Sequence, residues 1–246
     1  MKTAPYGRIL FGAAAVLLGA ICLVWHDPGA WQTLAQIRRL PFGPAIGACL
    51  MALQIAGGIA IQRPRTARPA SLVLAAVYAL FCLACVPAIL ASPAVYAAYG
   101  SFFEQFSALS GATALYAAAE SIPARAAAFA RAARLGLGLC AVSFILSQVV
   151  YFSFTARMVP AWIPPGQTFW AILTTIAFAL AALAILANLR ARLALRFLTL
   201  MLTLFAILVW IPRLLAQPQV HLNWSEFGLT LLIAAAAWTV ADLPSF

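Results

Sequence analysis

Apolar residues in this chain come in long blocks, separated by short stretches that gather most of the arginines and prolines. A hydrocarbon core about 30 Å thick is crossed by roughly 20 helical residues at about 1.5 Å each. Blocks of that length predict membrane-spanning helices. The spanning strands of a β-barrel would read as shorter, alternating segments. Eight blocks qualify: 7–25, 44–61, 70–91, 103–119, 134–154, 168–188, 192–215 and 225–241. The fourth opens on Glu104 and Gln105 and is rich in small residues, so it is only mildly apolar.

The interruptions orient the blocks. Lys2 and Arg8 precede the first; Arg63, Arg65 and Arg68 follow the second; Arg125, Arg131 and Arg134 follow the fourth; Arg190, Arg192 and Arg196 follow the sixth. These are eleven basic residues on one side, against Arg38, Arg39, Arg157 and Arg213 on the other. Basic loops stay in the cytoplasm, so both termini are predicted there, in a multi-pass protein of the bacterial inner membrane. Composition agrees: the 246 residues are 65% hydrophobic and 8% charged, where a soluble domain carries about 25% charged residues. The net charge of +10 is accounted for by topology. It predicts the lipid bilayer, not nucleic acid, as the partner. The first block resembles a signal peptide in its basic flank but lacks a small-residue cleavage site, which predicts an uncleaved helix. All five cysteines lie inside apolar blocks, which excludes a secreted disulfide framework.

The blocks repeat. PAILASP at 87–93 and PRLLAQP at 212–218 carry the same punctuation. With residues 8–119 laid over 134–241, Arg8 and Gly12 fall on Arg134 and Gly138, Gly43 on Gly166, Pro87 and Pro93 on Pro212 and Pro218, and Glu104 on Glu226. Four spans per half is an even number, so the halves share one orientation about an axis along the membrane normal. The predicted fold is all-α: eight transmembrane helices as two tandem up-down four-helix bundles. Residues 1–119 form the first, 134–246 the second, and the basic stretch 120–133 a cytoplasmic connector. Proline removes a backbone donor and clashes with the preceding turn, so the third helix of each half is expected to bend at Pro87 or Pro212. The alanines at 48, 52, 56 and 60, and Ala171, Thr175 and Ala179, are expected to be helix-contact stripes.

The second half reads MVPAWIPPGQTFWAILTTIAFALAALAIL, then IPRLLAQPQVHLNWSEF. An outer loop Val-Pro-Ala-Trp-Ile-Pro-Pro-Gly leads into an aromatic-led span, followed by a span ending in Pro-Arg-Leu-Leu. This resembles the DoxX-like family of small four-helix bacterial membrane proteins over about residues 134–241. The family unit is one bundle; this chain would hold two. The founding members resemble a membrane subunit of a thiosulfate:quinone oxidoreductase. The resemblance therefore implies a membrane subunit or anchor of a redox or stress-related system, with a redox protein as partner and no catalytic residues to carry over.

Three groups of residues carry candidate chemistry. Cys82 and Cys85 share a helix face just before Pro87. A thiol pair there could exchange with a quinone or a partner disulfide, which makes a thiol/quinone oxidoreductase the first rival reading. The plainer reading is two small buried hydrophobes. Arg213, Glu226, Glu104 and His221 are expected on the outer side as a polar cluster, with an Arg213–Glu226 ion pair and a site for an anionic headgroup or substrate. Interfacial carboxylates favoured by helix N-termini are the plainer account. His26 and His221 with one carboxylate are too few for a metal site. A small-solute transporter is the second rival, which the scarcity of mid-span charges disfavours.

Overall fold

The computed structural model describes residues 6–25, 37 and 39–244; His26, Trp31 and Arg38 lie outside them. Among the described residues the chain is helical with no strand. The helices are α1 (Tyr6–Trp25), α2 (Gly43–Ala60), α3 (Ala67–Ala91), α4 (Tyr96–Ala119), α5 (Pro123–Val150), the short α6 (Phe152–Met158), α7 (Gln167–Leu186), α8 (Ala191–Ala216) and α9 (His221–Ala241). Helix α8 contains one wider, π-helical turn at Ala206–Trp210. Seven of these helices, α1, α2, α3, α5, α7, α8 and α9, are long and apolar enough to cross a membrane. Their outward residues fit lipid contact: Ile59, Leu83, Leu90 and Leu183 are each more than half exposed. This is a multi-pass membrane protein.

Helix α4 has 24 residues, ample for a crossing by length, but its composition is less apolar. The reason is its place. It packs against α3, α5 and α9, so little of it needs to face lipid. Its Gly111 brings it against α9: a Cβ there would stand 2.7 Å from that of Ala236. Helix α9 is enclosed in the same way, by α1, α8 and α4. The remaining neighbours are α1 with α2, α2 with α3, α5 with α7, and α7 with α8.

The start of α1 meets the end of α9, where the Gly7 N–H donates to Asp242 Oδ2 at 3.1 Å. That carboxylate satisfies one of the orphan donors of the first helical turn. Glu120 closes the turn that leads into α5, its Oε1 accepting from the Ser121 and Ile122 N–H groups at 2.8 and 3.2 Å. Both acids border a single pocket of about 570 Å³, together with Gly7, Pro64, Ala67 and Pro123. One face of the molecule therefore holds the starts of α1, α3 and α5 and the ends of α2, α4 and α9.

From Pro123 the basic stretch 120–133 forms the first turns of α5, continuous with the apolar part. One expectation is corrected: the alanines of α2 are not its contact face, since Ala48, Ala52 and Ala56 are exposed. Glycines make the approach instead. Gly58 lies against α1, where an added Cβ would stand 2.7 Å from the Gly12 carbonyl oxygen. A residue without Cβ allows a closer seam than alanine does.

Candidate functional site

A cavity of about 1440 Å³ is lined by α4 of the first half and by α5 to α9 of the second. Helices α7 and α8 form one wall, mostly Leu, Ala, Phe and Met side chains such as Leu173, Leu180, Phe197, Met201 and Phe205. The opposite wall is polar: Ser101 and Glu104 from α4, Ser147 and Gln148 from α5, and Asn223, Glu226 and Thr230 from α9. Arg190 borders one end, Arg213 and Pro160 the other. Helix α8 follows the cavity from Leu193 to Arg213, which is about 30 Å at 1.5 Å per residue. The space therefore extends through most of the membrane thickness with one apolar and one polar side.

The π-turn helps shape it. Leu208, Val209 and Trp210, all in that turn, line the cavity. The first half shows a different interior at the matching level. There Phe11, Tyr78 and Phe81 are fully buried and pack edge to face, with ring centroids 6.1 and 6.3 Å apart.

The residues expected to form a polar cluster are only partly brought together. Glu104 and Glu226 face the same cavity and interact electrostatically across the α4–α9 seam. Arg213 lines it too, but forms no ion pair with Glu226. Its guanidinium lies over the Trp210 ring, 5.7 Å from the centroid. Residues three apart share a helix face, so the arginine folds back along its own helix. Among the described residues both ion pairs go to Glu120, from Arg68 at 3.0 Å and Arg125 at 3.7 Å. His221 stands apart from the cavity. It is buried at the α1–α9 seam, stacked on Trp25 at 5.3 Å and 3.0 Å from the Ser225 hydroxyl.

Cys82 and Cys85 lie inside the helix bundle, 5% and 4% exposed, and neither lines the cavity. Cys140 approaches Cys82 from α5, its Sγ 3.3 Å from the Phe103 carbonyl oxygen. No cysteine among the described residues is in a disulfide. Thiol exchange needs an accessible thiolate, and these thiols are enclosed. Among the described residues no group of three or more His, Cys, Asp or Glu side chains could hold a metal ion.

Several lining residues were not singled out in the sequence: Ser101, Gln148, Tyr151, Trp210 and Asn223. Gln148 carried the one usable signal, an amide near the end of an apolar block. In place it bonds the Thr175 hydroxyl of α7 at 2.6 Å. No protein-family model, no curated protein and no solved structure matches this chain.

Proposed function

We propose that the chain is an inner-membrane protein of eight crossings, two tandem units of the DoxX-like kind, which holds a lipid-soluble ligand between α4 of the first unit and the helices of the second. In this reading it serves as a non-catalytic membrane subunit that binds and presents such a ligand. The observation that carries it is the cavity, with its apolar wall on α7 and α8 and its polar wall on α4, α5 and α9. Ligand sites are concave and mostly apolar with a few convergent polar groups.

Two sets of contacts support eight crossings in two tandem units. The Gly7–Asp242 hydrogen bond holds the start of α1 beside the end of α9, which requires an even number of full-length helices. Helix α4 supplies the eighth. Its first turn bonds the far end of α5, with the Ala97 N–H donating to the Tyr151 hydroxyl at 3.0 Å. Its last turn meets the start of α3 through Tyr116 and Arg68 at 3.3 Å.

The repeat is supported at PAILASP and PRLLAQP. The Ser92 N–H donates to the Ala88 carbonyl and the Gln217 N–H to that of Arg213, at 3.1 and 2.9 Å. The Tyr99 hydroxyl and the Trp224 indole N–H then donate back to the carbonyls of Pro93 and Pro218, at 3.2 and 2.9 Å. Each donor–acceptor pair has its counterpart 125 positions on. In that register Glu226 corresponds to Ser101, and Glu104 lies three residues deeper. The ends of α4 and α9, Ala119 and Ala241, are 122 positions apart, as are the two glutamates. Helix α4 thus holds about one extra turn, which lets the glutamates lie at different depths along one cavity.

The test uses tryptophan fluorescence in nanodiscs of neutral lipid. Trp170 and Trp210 border the cavity, so a dibrominated long-chain alcohol entering it should quench them saturably. The quenching should disappear in the Trp170→Phe/Trp210→Phe variant and weaken when Ala181→Phe fills the space. Quenching that rises only linearly with probe, equally in all three proteins, would mean that the cavity holds no ligand.

A further inference from the structure

If the cavity is a ligand site, as proposed above, its charged groups narrow the ligand class. Glu104 and Glu226 face it with no ion-paired base among the described residues. Two arginines border the same space. Arg190 is the residue before α8 begins, 23 positions from Arg213. At about 1.5 Å per residue that separation is about 35 Å, out of reach of an ion pair with either glutamate. Among the described residues that line the other end, the one base is Arg213, stacked on Trp210. Among the described residues this end of the cavity is therefore lined by two acids and one base.

Depth separates these groups further. Arg213 lies three residues before the end of α8 at Ala216. Glu226 lies five residues into α9 and Glu104 eight residues into α4, about 8 and 12 Å below their helix starts. Carboxylates at such depth in an apolar surround are costly unless compensated. The aromatic side chains of Tyr151 and Trp170 border the same space, and aromatic faces attract cations.

We propose that the cavity takes a lipophilic cation: an amphiphile whose hydrocarbon part lies along the wall of α7 and α8, with its ammonium group between Glu104 and Glu226. This reverses the sequence-based expectation of an anionic headgroup, because the fold brings the second glutamate to the first and folds Arg213 back onto its own helix.

The experiment compares three dibrominated probes of equal chain length, bearing an ammonium, a hydroxyl or a sulfonate head. The readout is the saturable quenching that the Trp170→Phe/Trp210→Phe protein lacks, at moderate salt in neutral-lipid nanodiscs. The ammonium probe should half-saturate at about tenfold lower mole fraction than the hydroxyl probe, and the sulfonate probe should be weakest. Glu104→Gln/Glu226→Gln should bring the ammonium probe to the level of the hydroxyl probe while leaving the latter unchanged, which also shows the cavity intact. Should the double variant fail to fold, Arg213→Gln gives a second test: it should widen the preference for the ammonium head. A preferred sulfonate, an ammonium preference that survives loss of both carboxylates, or a narrowed preference in Arg213→Gln each overturns the cation while leaving the cavity a ligand site. If no probe quenches saturably, the cavity reading fails, and the cation with it.

Discussion

Glu120 shows how much one side chain can fasten. Its Oε2 accepts from Arg68 of α3 and from the Tyr116 hydroxyl of α4, at 3.0 and 2.9 Å, while Oε1 accepts from the Ser121 N–H in the turn before α5 at 2.8 Å. Burial pushes this carboxyl up, but the Ile122 N–H, the Tyr116 hydroxyl, the Ser121 N–H and Arg68 outweigh it and hold it down at about 2. A depressed carboxyl stabilises the fold fully above its unfolded value of about 4.3 and loses that contribution as pH falls toward the folded value. Thermal unfolding in detergent should therefore shift downward between about pH 4.3 and 2, and Glu120→Gln should flatten that part of the profile. An unchanged profile in the variant would show that other groups govern the acid limb. Glycines give a second prediction. Gly58→Ala places a Cβ 2.7 Å from the Gly12 carbonyl oxygen and should cost about 1–3 kcal/mol by overpacking. Gly100→Ala meets nothing within 4 Å and should be neutral or slightly stabilising, since alanine is the better helix former. Equal losses at both sites would count against the α1–α2 seam. Glu120 was legible only as an acid among arginines; Tyr116, Ser121 and Ile122 lie within four residues of it, and only the fold brings in Arg68, 52 positions away.

Helix α3 has 25 residues and α8 has 26. Arg68 and Arg192, each in the first turn, are 124 positions apart; Pro87 and Pro212 are 125 apart. If the halves are a repeat, as proposed, the one extra residue is taken up where α8 widens into its π-turn at Ala206–Trp210, a common way for a helix to absorb an insertion near a site. The two prolines sit differently: Pro212 follows a π-turn, while Pro87 sits within a helix that continues to Ala91. Deleting Leu208 should narrow the turn and return α8 to the register of α3, with a modest loss of thermal stability. Deleting Leu83 from α3, which has no spare residue, should rotate everything beyond it by about 100° and abolish folding. Equal damage from the two deletions would count against the insertion. Proline spacing made this pair of helix ends readable in the sequence. The π-turn left no mark there, because a wider turn needs no particular residue type.

In the proposed eight-crossing arrangement helix α4 decides the architecture, because it is the eighth crossing. Ser92 and Ser121 flank it, and both are exposed. In a protein with Cys22, Cys49, Cys82, Cys85 and Cys140 replaced, a membrane-impermeant maleimide added from outside should label Ser92→Cys and spare Ser121→Cys. The opposite pattern would reverse the orientation drawn from the arginines. Labelling at both positions would mean that α4 does not cross.

The sequence by itself determined the solvent, the helical class and most of the helix ends, though not the starts of α4 and α5. Each depends on local composition: apolar length against membrane thickness, arginines that stay on one side, prolines and glycines that stop helices. Tertiary structure alone decided what stands beside what. It showed α4 to be tolerably polar because α3, α5 and α9 enclose it. It turned the glycine face of α2, not its alanines, onto α1. It stacked His221 on Trp25 and Arg213 on Trp210 in place of the expected cluster. Most of all, it brought Glu104 to Glu226 across a cavity. They are 122 positions apart in the chain, and hydrophobic blocks of equal length would be compatible with many packings of the same helices. Choosing among them rests on where side chains without a Cβ, and side chains with a charge, come to lie against their neighbours, which no local pattern records.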